Sequence, residues 1–116
     1  MKYMLLMYAS EAVAPKFTPD ELKAVQQDWF TYMKEAGAAG VLLDNNGLTP
    51  VATATTVRVR NARTLTTDGP FAETHEQLAG SSILNCKDLD EAISWAARTP
   101  MAKYGSVEIR PLFMQQ

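Results

Sequence analysis

The chain has 116 residues, is 47% hydrophobic and carries a formal net charge of −2. That describes one globular domain with a single core, without the clustered positive charge that a nucleic-acid partner requires. One cysteine and one histidine exclude an internal disulfide and the usual zinc ligand sets.

Read from the N-terminus, Lys2 to Tyr8 is a strand with two apolar faces: Tyr3, Leu5 and Met7 on one, Met4, Leu6 and Tyr8 on the other. Such a strand is central and covered on both sides. The segment also imitates a short signal peptide, with Lys2, an apolar run to Ala9, then Ala12-Val13-Ala14. The run is short, Glu11 interrupts its end and Pro15 would follow the cut, so the strand reading prevails. A cytoplasmic protein with no membrane partner is expected.

A first helix is predicted over Pro19 to Ala38. Thr18 is its N-cap, Pro19 its first residue, and Glu21 completes a capping box. Phe17 and Leu22 occupy the positions of a hydrophobic staple. Leu22, Val25, Trp29, Met33 and Ala36 form one apolar stripe, and Gly37 or Gly40 ends the helix. Val41 to Asp44 reads as a second strand, followed by a turn at Asn45-Asn46-Gly47.

Thr53 to Arg60 and Thr64 to Thr67 form a hairpin turning at Asn61-Ala62-Arg63. Ser81 to Cys86 is the third main strand, and Cys86 is expected to be a buried structural thiol. Asp88 caps a second helix whose buried face is Leu89, Ala92, Ile93 and Ala96, with Pro100 ending it. Ser106 to Arg110 is the last strand, stopped by Pro111. The order is the split βαβ pattern with an inserted hairpin, a ferredoxin-like α+β fold. Two helices cover only one face of a four-stranded sheet. The doubly apolar first strand therefore predicts a homodimer, with a second copy over the other face.

Asp68-Gly69-Pro70-Phe71-Ala72-Glu73 stands between two strand-like runs. Gly69 precedes Pro70 and is pushed to extended or glycine-only backbone, while Pro70 cannot donate within a ladder. The result is a shaped loop with a carboxylate at each end, and shaped loops on rigid sheets carry function. Asp68 is either a base or acceptor at the mouth of a cleft between sheet and helices, or the acceptor for its own turn. Glu73 and His75 stand two apart, so an extended segment turns them to one face as a general-base pair. With Asp68 and Glu76 they could instead hold a weak divalent ion; the plainer reading is an exposed polar loop. Arg58 and Arg60 share a strand face that binds a carboxylate or an acidic partner, or merely protects an edge. Tyr8 and Phe71 would contact an apolar ligand. Trp29 belongs to the helical core stripe, and Trp95 packs against the first helix or a nearby loop.

No dinucleotide or phosphate loop is present, so any reaction would be cofactor-free proton transfer, isomerisation or elimination. The rival is a non-catalytic module that binds a protein through the arginine face.

The whole pattern also carries a resemblance. The runs Thr53-Ala54-Thr55-Thr56-Val57-Arg58-Val59-Arg60, Thr66-Thr67-Asp68-Gly69-Pro70-Phe71-Ala72-Glu73 and Glu76-Gln77-Leu78 are similar to the DGPF branch of the YCII-related proteins. Met1 to Leu6, Lys87 to Ala92, Trp95 to Arg98 and Gly105 to Leu112 fit it as well. The resemblance implies one YCII-related domain over residues 1–116, pairing into a dimeric α+β barrel. It also implies a regulatory partner, since such proteins are often encoded near alternative sigma factors. Two positions depart from the branch: His75 replaces a usual Lys, and Ala79-Gly80-Ser81-Ser82 replaces a Gly-Gly-aromatic run. YCII-type relatives carry a His in the first helix that works with an Asp; here that helix has none, so their acid–base pair is not carried over.

Overall fold

A computed structural model describes residues 1–13 and 16–114. Ala14 and Pro15, which entered the signal-peptide reading, lie outside the described residues. The central strand β1, Lys2–Ala9, forms where both faces are apolar. Helix α1 spans Pro19–Ala38, and the predicted capping box is present. The Thr18 hydroxyl accepts from the Glu21 N–H at 3.1 Å, and the Glu21 carboxylate accepts from the Thr18 N–H at 3.2 Å. Gly40, in the left-handed region at φ 72°, turns the chain out of the helix.

The remaining elements are β2 (Leu42–Gly47), β3 (Thr55–Arg60), β4 (Arg63–Asp68), β5 (Gln77–Asn85), α2 (Leu89–Ala97) and β6 (Ser106–Pro111). Short 3-10 turns lie at Val51–Thr53 and Pro100–Lys103. The main sheet has four antiparallel strands in the order β2-β5-β1-β6, and β3 and β4 pair separately. This is the ferredoxin-like α+β arrangement with an inserted hairpin.

Tyr3, Leu5, Val41, Leu84, Cys86, Ala92 and Ala96 form the core between the sheet and its helices. Leu5 and Leu84 are fully buried, each stabilising the fold by about 2 kcal/mol through removal of apolar surface from water. Burial pushes the Cys86 thiol pKa up, with Glu91 adding to the rise, as suits a structural cysteine.

Several boundaries and faces differ from the sequence expectation. Asn45-Asn46-Gly47 is strand, not turn, because these residues pair with Ser82, Ser81 and Gly80 of β5. β5 begins at Gln77 rather than Ser81, and β3 starts only after the 3-10 turn. Leu89 and Ile93 are exposed, and Ala92 and Ala96 alone are the buried residues of α2. Leu22, at the predicted staple position, is exposed, and Phe17 packs edge-on against Tyr104 at 5.5 Å between ring centres.

The principal buried aromatic of α1 is Tyr32, with Trp29 and Trp95 edge-on at 5.8 and 6.2 Å. Trp95 thus packs on the first helix, as expected. The Tyr32 hydroxyl is buried, with no hydrogen-bond partner among the described residues. Burial pushes its pKa up to about 12; Cys86 adds to the rise and Arg98 opposes it. Folding therefore favours the neutral phenol. Its contribution is fully present below the ordinary tyrosine value of 10.0 and is lost as pH rises through about 12. Over that window stability should fall by roughly 2 to 3 kcal/mol from this group. In Tyr32→Phe the alkaline loss should shrink, and neutral-pH stability should rise by about 1 kcal/mol because an orphaned hydroxyl is removed. Urea midpoints measured from neutral to strongly alkaline pH check both; identical alkaline slopes in the two proteins would refute the assignment.

Candidate functional site

The register between β1 and β5 breaks once. Met7 pairs with Gly80 but Tyr8 pairs with Leu78, so Ala79 is an extra residue. Such bulges recur beside active sites, where they re-aim side chains. The Ala79 carbonyl accepts from the Leu48 N–H at 2.8 Å, drawing in the segment that leaves β2. Between this end of the sheet and α1 lies a pocket of about 240 Å³. Met7, Trp29, Met33, Gly80 and Met101 give it apolar walls, and Asn45 a polar one.

The Asn45 side chain is oriented by two contacts. Its oxygen accepts from the Ser82 hydroxyl, and its Nδ2 lies 3.2 Å from the Met33 sulfur. Gly80 permits the close approach of β2: a Cβ there would lie 2.6 Å from the Asn46 carbonyl oxygen. No ionisable side chain lines this pocket among the described residues.

The second concavity adjoins the Asp68–Glu73 loop. Gly69 adopts φ 97°, a conformation open to glycine and costly for other residues. Its N–H donates to the Ala54 carbonyl at 2.7 Å, and its carbonyl accepts from the Thr56 hydroxyl at 2.8 Å. Farther along, Gln77 Nε2 donates to the Thr74 carbonyl at 2.7 Å, while its Oε1 accepts from the Glu11 N–H at 2.9 Å. The Glu11 carboxylate accepts from the Val51 N–H at 2.9 Å. Glu11 and Gln77 thereby fasten the loop to the end of β1. The groove they frame includes Val51, Pro70, Ala72, Glu73 and Gln77. It and the apolar pocket sit at the same end of β5, since Gln77 lines one and Gly80 the other.

The predicted site residues scatter over these features. Glu73 lines the loop groove. Asp68 ends β4 opposite Thr55 and is exposed, as is His75. Phe71 points into solvent at 77% exposure. Tyr8 is half-buried on the opposite sheet face from Met7. Arg58 is half-buried, and Arg60 is exposed with its guanidinium on the Val59 carbonyl at 3.0 Å. Asp68, Glu73, His75 and Glu76 do not converge as a ligand set: no group of three or more such side chains is placed to hold a metal ion among the described residues. Sequence reasoning missed Asn45, Glu11 and Gln77. It gave Trp29 and Met33 to the core stripe, though that stripe ends as a pocket wall. Only the run Glu76-Gln77-Leu78 carried any signal for Gln77.

Comparison with known proteins decides the family. Residues 1–115 match the sequence profile of the YCII-related domain. The chain belongs to the YCII-related family. An uncharacterized family relative in Rhizobium meliloti (strain 1021) is 37% identical over 114 residues, covering 97% of this chain and 92% of that protein. Among solved structures, the chain is similar to 5-chloro-2-hydroxyhydroquinone dehydrochlorinase (TftG) from Burkholderia phenoliruptrix, in complex with 2,5-dihydroxybenzoquinone. The TM-score is 0.51 at 11% identity, over 99% of this chain and 96% of that one. At that identity the likeness establishes the fold alone. No helix of this YCII-related chain is long and apolar enough to cross a membrane among the described residues.

Proposed function

We propose that this YCII-related protein is a homodimer that binds a small, mainly apolar molecule at the bulged end of its sheet. The observation that carries the reading is the pocket of about 240 Å³, apolar on most sides and with one oriented carboxamide. Ligand pockets typically combine apolar walls with a few placed polar groups. A dry cavity of about 150 Å³ takes benzene, so this volume suits one substituted ring. TftG, on the same fold, is seen with a one-ring quinone.

The acid–base groups would come from the neighbouring loop, with Asp68 as the base or anchoring carboxylate and Glu73 and His75 assisting. Phe71 would close over an apolar ligand, and any chemistry would be cofactor-free proton transfer. In the isolated chain these groups are exposed to water. Efficient proton transfer therefore requires a ligand or a second copy to shield them.

Ligand-observed NMR with monocyclic phenols and quinones tests the reading. Saturable binding is expected, lost in Met33→Trp, which fills the pocket, and weakened about tenfold in Asp68→Asn/His75→Ala. Absence of saturable binding at millimolar ligand would sink the pocket. Unchanged affinity in the loop variant would remove Asp68 and His75 from the mechanism.

A further inference from the structure

The β3–β4 hairpin is built inside out for an isolated chain. Strand alternation puts Val57 and Val59 on one face, and both are 59% exposed. The opposite face carries Thr56 and Arg58, both half-buried, with Arg60 and Leu65, which pairs across from Arg58, exposed; the two valines are thus the most solvated apolar side chains of the ribbon. A two-stranded ribbon alone is marginal in water, and one that exposes its β-branched face needs a cover.

The molecule itself provides no such cover. It measures 47 × 43 × 19 Å, which leaves room for a sheet and one helical layer, and its radius of gyration is 16.2 Å. A compact chain of this length would have about 13 Å. One sheet face is open, with Met4, Leu6, Tyr8 and Ile83 at its centre.

Area arithmetic names the occupant. Four strands ~4.8 Å apart and about 25 Å long present about 500 Å² each, so two open sheets bury about 1,000 Å² in total, the lower bound for a specific interface. Each arm adds roughly 200 Å² and covers as much again, which brings a symmetric pair to about 1,800 Å², the size of a stable dimer. We infer that the β3–β4 arm of one protomer clasps a second copy of this chain, with the Val57–Val59 face packed against it. This rests on the homodimer proposed above and adds the element that makes its interface large enough. Arm and loop are continuous through Asp68, so the clasp also sets the loop relative to the partner.

The test compares three proteins by analytical ultracentrifugation over a concentration series: wild type, Val57→Glu/Val59→Glu and Met4→Glu/Leu6→Glu. Circular dichroism confirms that each is folded. The arm variant alters only exposed side chains, so folding should survive. A dimeric wild type is expected, with the dissociation constant raised about 100-fold or more in the arm variant. A dimeric wild type with an unchanged constant in the arm variant overturns the clasp. In that case, dissociation of the Met4/Leu6 variant would show that the sheet-to-sheet dimer itself stands. A monomeric wild type overturns both, leaving a different protein as the occupant of the arm.

Discussion

Gly105→Ala should cost about 4 kcal/mol of stability, because an added Cβ meets a tighter obstacle here than at any other glycine of the chain. Gly105 joins the 3-10 turn Pro100–Lys103 to β6, and its N–H donates to the Met101 carbonyl at 2.8 Å. An added Cβ would fall on the Tyr8 carbonyl oxygen, well inside contact distance, with the Tyr8 carbonyl carbon at 3.1 Å and the Ala9 Cβ at 3.2 Å. The nearest obstacles are backbone of β1, which cannot rotate away. Relief requires moving β6 from β1 where Ser106 pairs with Tyr8, beside the half-buried Tyr8 itself. A domain of this size has about 5–15 kcal/mol of stability in all, so the variant should be marginal or unfolded at 37 °C. Urea denaturation reads the effect directly. A loss below about 1 kcal/mol would mean that the turn relaxes freely and that the contact is not tight in solution.

Gly80→Ala should be milder for the fold and severe for the pocket. Its Cβ would meet the Asn46 carbonyl oxygen at 2.6 Å, and Gly47 Cα and Met7 Cε at 3.5 Å each. Here the obstructing backbone belongs to β2, an edge strand, which can shift outward. We expect about 2 kcal/mol of destabilisation, within the usual range for overpacking. Met7, Asn46 and Gly47 all line the apolar pocket, so the new methyl and the strand shift narrow it together. Binding of one-ring probes should fall by about tenfold or more while the protein stays folded. Full binding in a folded Gly80→Ala protein would place the ligand elsewhere, the loop groove being the next candidate.

These two glycines mark the boundary of what was legible in the chain. Gly69 was readable because Pro70 follows it, and its left-handed backbone was half-implied by the dipeptide. Gly80 and Gly105 have no such local marker. Each is required by a carbonyl from a different strand, and nothing in the adjacent residues reports that neighbour. The same contrast separates Thr18 from Asn45. The capping box was visible because its partners are three residues apart. Asn45-Asn46-Gly47 carried turn chemistry, and pairing with β5 overrode that local preference. On α2, Leu89 and Ile93 satisfied a helical period yet stayed exposed, because the sheet meets this helix along the narrower line of Ala92 and Ala96.

Element order, the capped first helix, the two apolar faces of β1 and a shaped loop at Asp68–Glu73 were determined by the sequence alone. All depend on backbone preference and side-chain period, which act over a few residues. The site's location was decided only by tertiary structure. The apolar pocket lies where one extra residue, Ala79, breaks the register between strands some 70 positions apart in the chain, and its walls come from β1, α1, β2, β5 and the 3-10 turn at Pro100–Lys103. The loop is fastened by Glu11 and Gln77, which are 66 residues apart. The exposure of Val57 and Val59 and the shelter of Arg58 follow from how the arm leaves the sheet, and alternation alone is silent on which face turns inward. Period assigns side chains to two faces; only packing decides which face is covered.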